Sequence, residues 1–263
     1  MEAESMIKGS VAPVNIPGTE KILNQMKKCV CKIKIGDTKD TIATGFFLNV
    51  PFSNMNFLMT SFSVVTEEYL HKNEKITISI NDDEEDLVID LTIKREKYFS
   101  KEYDITAIEI KKEDGIKEYL EIDDYIFEDY EENYYNEKSI YLLHYLNGKN
   151  ISVSYGILNK MKKHKIRYIC SSGNGSLGAP IFNLENNKVI GIHKKSKNNC
   201  NKGTLLKYPI DDNLINKSIK KNIILGDIDI NKEDINKDIQ IINSFDNGQR
   251  ENPEEELKDK DEI

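Results

Sequence analysis

Tryptophan is absent, and proline and cysteine are scarce, with six and four in 263 residues. The cysteines stand at 29, 31, 170 and 200, without the paired spacing that holds zinc or builds a disulfide framework. No metal and no cofactor are expected. No apolar run approaches the ~18 residues that cross a bilayer as a helix, so no membrane association is expected. Met1-Glu2-Ala3-Glu4-Ser5-Met6 lacks the basic stretch and apolar run of a secretory signal, and the expected compartment is the cytoplasm. Heptads, collagen-like triplets and internal repeats are all missing.

What is present is a polar globular composition rich in Lys, Asn and Ile, with 38% apolar and 31% charged residues. The net charge of −8 is uneven along the chain. Residues 226–263 hold 13 acids and 5 bases, which accounts for all of it, so residues 1–225 sum to zero. A balanced body offers no general electrostatic case for nucleic acid, and none is expected as a partner. Residues 249–263 are too polar to offset their ordering entropy, so a disordered acidic tail is expected.

From about Ile22 the chain reads as short alternating or β-branched runs bounded by Asn, Asp and Gly. Six fall before residue 112: Cys29–Ile35, Thr44–Leu48, Asn56–Thr60, Lys75–Ile80, Leu87–Ile93 and Asp104–Ile110. Six more follow: Ser139–Tyr145, Ile151–Leu158, Ile166–Ser171, Pro180–Phe182, Lys188–His193 and Gly203–Lys207. The stretch 113–137 separates them, with 11 acids against Lys117 alone, and reads as a solvated acidic linker with a short helix. The expected fold is all-β: two packed six-stranded antiparallel β-barrels, at 21–112 and 138–225. A single large sandwich also fits the strand count. An N-terminal arm over 1–20 is read from Pro13, Pro17 and Gly18. A short closing helix is expected from the apolar spacing Ile210, Leu214, Ile215, Ile219.

The chemistry-bearing segment is Gly173-Asn174-Gly175-Ser176-Leu177-Gly178-Ala179-Pro180-Ile181-Phe182, followed by Lys188-Val189-Ile190-Gly191-Ile192-His193. Glycines allow a sharp turn in which successive amides face one spot, and the proline opens a strand where no amide donor is needed. This segment resembles the nucleophile loop of trypsin-like serine peptidases. Thr44-Gly45-Phe46-Phe47-Leu48 with Phe57–Val65, and Tyr103-Asp104-Ile105-Thr106-Ala107-Ile108, resemble the regions that carry the family's histidine and aspartate. The order His, Asp, Ser thus falls on positions 63, 104 and 177. The resemblance implies the two-barrel fold, an oxyanion hole formed by Gly175 and Leu177, and Asp104 as the retained triad acid. It also implies that Gly191 and His193 line a substrate pocket, as in the Gly-Ile-His branch that prefers glutamate.

The departures decide the functional expectation. Ser63 stands at the histidine position and Leu177 at the serine position. A serine takes no proton at neutral pH and a leucine has no nucleophile, and loss of either role costs on the order of 10⁶ in rate. The expectation is a catalytically deficient, monomeric homologue that binds a peptide or protein in the former substrate cleft. The alternative is a serine endopeptidase working through Ser176, or an enzyme with its catalytic residues replaced.

Other residues read plainly. His144 suits a satisfied core or edge position, His71 and His164 are scattered, and the four thiols are expected free apart from a conceivable Cys170–Cys200 pair. The basic runs Lys160–Arg167 and Lys194–Lys197 read as solvated turns, with docking of the acidic tail onto them as the sharper alternative.

Overall fold

The computed structural model describes residues 9–35, 41–50, 55–81, 85–92, 94–128, 134–197 and 200–211. Seven strands come first: β1 Val30–Ile35, β2 Thr41–Val50, β3 Met55–Thr60, β4 Lys75–Ile80, β5 Glu85–Asp90, β6 Lys97–Ser100 and β7 Ile105–Ile110. They form one antiparallel sheet in the order β5-β4-β1-β2-β3-β7-β6. The strand that sequence reading passed over is β6, whose four residues are too short for an alternation pattern to register. Among the described residues no ladder joins the edge strands β5 and β6, so the first unit is a half-barrel sheet and not a closed six-stranded barrel.

The second unit closes as expected. Its strands are β8 Ser139–Tyr145, β9 Ile151–Lys162, β10 Lys165–Cys170, β11 Pro180–Asn183, β12 Lys188–Lys197 and β13 Cys200–Leu205. They run β10-β13-β12-β11-β8-β9 around a closed barrel. Pro180 opens β11, where its missing amide costs no ladder bond.

The run Phe46-Phe47-Leu48 is apolar at consecutive positions because both faces of β2 are covered. Phe46 and Leu48 share a core with Phe57, Tyr141, Leu142 and Phe182, and so with the second barrel. Phe47 packs on the other side with Ile33, Leu58, Ile76 and Ile78. Tyr141 and Phe182 stack at 4.4 Å between ring centroids.

Two connecting segments differ from expectation. The end of the expected arm and the residues that follow it form a helix, α1 Ile16–Lys28. Asn15 caps it, accepting from the Gly18 amide at 2.9 Å, and Pro17 lies in the first turn, where a missing amide is tolerated. Pro17 and Gly18 therefore start a helix instead of excluding one. Gln25 of this helix accepts from the Tyr141 hydroxyl at 2.7 Å and donates to the Asn187 carbonyl at 2.9 Å, which fastens α1 to the barrel. The acidic linker, in turn, is not simply solvated. Leu120 pairs with Leu48 of β2 and Ile122 with Val189 of β12, and both linker residues are buried. After β13 there is one helical turn, α3 Lys207–Pro209. The closing helix beyond Asp211 and the acidic tail lie outside the described residues. No helix among the described residues is long and apolar enough to cross a membrane.

Candidate functional site

The site lies where the turn after β3, the start of β7 and the loop between β10 and β11 meet. Ser63 is exposed in the turn between β3 and the short helix α2 Glu67–Lys72. Asp104, buried at a positive φ of 54°, immediately precedes β7. The Ser63 amide and the Ser63 hydroxyl both donate to Asp104 Oδ1, each at 2.7 Å. The acid that would orient a histidine is thus occupied by the residue at the histidine position.

Leu177 is half-buried, and its carbonyl accepts from the Thr44 amide at 3.0 Å. Thr44 also donates its hydroxyl to the Gly175 carbonyl at 2.7 Å, which stitches the loop to β2 from two sides. On the opposite side the Gly178 amide donates to the His193 carbonyl at 3.0 Å, and the His193 amide to the Ala179 carbonyl at 2.8 Å. Two glycines are required here. Gly175 has φ +89°, and a Cβ on it would stand 2.2 Å from the Tyr145 carbonyl. Gly178 has φ +83°, and its Cβ would meet the Thr44 carbonyl at 2.4 Å and the Thr60 hydroxyl at 2.6 Å. Among the described residues the amides of Gly175 and Leu177 donate no hydrogen bond within the chain.

Ser176 is fully buried. Its hydroxyl oxygen accepts from the Gly173 amide at 3.1 Å and contacts His144 Nδ1 at 2.6 Å, while His144 Nε2 meets Ser154 Oγ at 2.9 Å. A histidine thus reaches Ser176 from outside the triad positions, but the pair is sealed inside the barrel. Burial lowers the His144 pKa to about 4, so the ring is neutral near pH 7.

His193 is also buried, with Nδ1 on the Tyr168 hydroxyl at 2.5 Å. Burial, and then the neighbouring His144, lower its pKa to about 4. A neutral ring with Nδ1 engaged presents a carboxylate with no cation, only the hydrogen-bonding capacity of Nε2. Gly191 lies in the barrel wall, where a Cβ would meet Ile166 Cδ1 and the Thr204 carbonyl, each at 2.6 Å. Its place is set by packing.

Lys194, directly after His193, also reaches the site. Its ammonium donates to the Glu102 carbonyl at 3.2 Å; burial lowers its pKa, and the nearby Asp104 opposes that shift. Nearby, the Ser172 and Ser196 hydroxyls lie 2.6 Å apart and both within hydrogen-bond reach of Asn201 Oδ1, tying the β10–β11 loop to β12 and β13. All four cysteines are free. Among the described residues no cluster of His, Cys, Asp and Glu is arranged to hold a metal ion. His71 is exposed on α2, its Nδ1 2.8 Å from the Glu67 carbonyl.

A family profile for the trypsin-like peptidase domain matches residues 43–192. Curated protein sequences give no match. Among solved structures, the chain is similar to the Rv3671c protease of M. tuberculosis in an inactive form, with TM-score 0.52 and 14% identity over 74% of this chain and 93% of that one. It is also similar to a serine endoprotease from Yersinia pestis, with TM-score 0.55 and 12% identity over 78% and 68% of the two chains. For Deg5 the TM-score is 0.54 and the identity 10%, over 74% and 91%. At these identities the likeness is one of fold.

Proposed function

The chain belongs to the trypsin-like peptidase domain family, and on that premise we propose that it binds a peptide or protein segment in the former substrate cleft and does not cleave it. The observation that carries this reading is the pair of hydrogen bonds that Ser63 donates to Asp104 Oδ1. A carboxylate engaged by a hydroxyl and an amide has no imidazole to orient, and no general base stands at that position. Leu177 at the nucleophile position removes the second half of the chemistry. What survives suits binding: two amides without internal acceptors at Gly175 and Leu177, beside a loop tied to both units. An endopeptidase working through Ser176 has one observation in its favour, the 2.6 Å contact with His144. Against it stands complete burial, which keeps any scissile carbonyl away from the hydroxyl.

The test is a fluorophosphonate probe and a casein assay on the full chain, with amide spectra recorded during titration with unstructured peptides. The expected result is no labelling, no hydrolysis, and saturable shifts at Ser63, Asp104 and Leu177–Gly178. Stoichiometric labelling of Ser176 overturns the reading in favour of catalysis. Peptides that leave those amides unmoved overturn it in favour of a structural β module.

A further inference from the structure

The neutral total of the body conceals two opposite charges. Residues 139–211, which hold the whole barrel, contain 12 Lys and Arg against two acids, Glu185 and Asp211. Residues 1–138 contain 29 acids and 17 bases.

Strand register then collects the bases. Lys160 of β9 stands opposite Arg167 of β10, Arg167 opposite Lys202 of β13, and Lys202 opposite Lys195 of β12. One row of four cations crosses four neighbouring strands at about 4.8 Å per step. Lys162 and Lys165 oppose each other beside it. Five of these six residues are exposed and Lys202 is half-buried, while Ile166 and Tyr168 between them point into the barrel. Among the described residues none of the six side chains takes part in an ion pair or hydrogen bond. Like charges directly opposite one another destabilise a ladder. Folding alone therefore disfavours this row, and an anionic partner would relieve the repulsion.

An apolar feature adjoins the row. Val11, Tyr155, Ile157 and Ile169 line a recess of about 700 Å³. Ile169 is 57% exposed and lies two residues after Arg167, and Asn159, next to Lys160, reaches the same recess. Cationic row and apolar recess thus adjoin on the barrel's outer wall.

We propose that this surface is an exosite for an acidic protein segment carrying an apolar anchor: its carboxylates pair with Lys160, Arg167, Lys202 and Lys195, and its anchor enters the recess beside Ile169. Nucleic acid fits less well, because bases need aromatic faces and the recess offers mainly aliphatic side chains, with the Glu137 carboxylate among its lining residues. A membrane fits less well because Ile169 and Tyr155, though exposed, border a recess that a flat bilayer surface does not fill.

The probe is a fluorescein-labelled peptide with a Glu-rich run followed by Leu and Phe, titrated with the full chain and read by anisotropy. Binding is expected at low salt and should weaken steeply as salt rises. Arg167→Glu with Lys202→Glu should weaken it at least about tenfold, and Ile169→Asp alone by a comparable factor. Arg167→Glu places an acid between Lys160 and Lys202, so its melting temperature should hold or rise, which separates lost binding from lost folding. Four results overturn the proposal. These are no binding, equal binding of a Glu-only peptide of the same charge, tighter binding of a single-stranded oligonucleotide of the same charge, or peptide indifference alongside row-dependent sedimentation with phosphatidylserine vesicles.

Discussion

Ser63 carries the most consequence of any residue in the chain. A histidine there would receive the Asp104 carboxylate that the serine now occupies with its own amide and hydroxyl. The loop that carries Leu177 is already held by Thr44 and His193, and Gly175 and Gly178 keep the conformations that only glycine adopts without strain. Ser63→His combined with Leu177→Ser should therefore restore hydrolysis of an activated ester. The rate should exceed that of either single variant by at least about tenfold, because base and nucleophile act as a unit. Initial rates on the three variants, with folding checked by circular dichroism, make the comparison. A folded double variant no faster than the singles would mean that the amides of Gly175 and Leu177 do not reach a bound carbonyl. Positions 63, 104 and 177 stand out in the chain because motif order and spacing are local quantities. The Ser63 bonds do not, because they join residues 41 apart.

At the scale of elements, β8 and β12 each bury a histidine whose pKa falls from 6.5 to about 4 through desolvation. The native rings stay neutral while the unfolded chain takes up protons below about pH 6.5. Stability should therefore be complete above pH 6.5, fall as pH drops towards 4, and level off below. At about 1.4 kcal/mol for each tenfold change in proton affinity, the loss is on the order of 3 kcal/mol per ring. Urea midpoints at pH 7, 5.5 and 4.5 should show the decline, and His144→Gln should make it about half as steep. A midpoint constant over that range would mean that water reaches the rings. The helix α1 carries the opposite lesson about legibility. Its signals, Asn15 with Pro17 two residues on, were present in the chain, but turn chemistry and helix-start chemistry use the same residues. Only the docking of Gln25 against Tyr141 and Asn187 decides between them.

On the scale of the whole molecule, one core runs through both units. Phe46, Leu48 and Phe57 of the half-barrel pack with Tyr141, Leu142 and Phe182 of the barrel, and Ile22 of α1 and Leu120 of the linker join them. Neither unit keeps this core if the other opens. Residues 9–211 should therefore unfold in a single cooperative transition despite a size at which two-state behaviour often fails. With 13 tyrosines and no tryptophan, tyrosine fluorescence reports this directly and should coincide with far-ultraviolet circular dichroism. Separate midpoints for the two signals would show that the units unfold independently.

The chain by itself determined the strand runs, the two groups flanking an acidic segment, and the three positions that carry Ser63, Asp104 and Leu177. Periodicity, turn residues and motif spacing are local quantities, and they survive without coordinates. Tertiary structure alone decided the rest. Sheet closure depends on which edges pair, so the first unit is an open seven-stranded sheet and the second a closed barrel. The state of His193 depends on burial against Tyr168, which no neighbour in sequence reveals. Charge follows the same rule: a sum over the chain is blind to register, and register is what aligns Lys160, Arg167, Lys202 and Lys195 across four strands from two separate stretches of sequence.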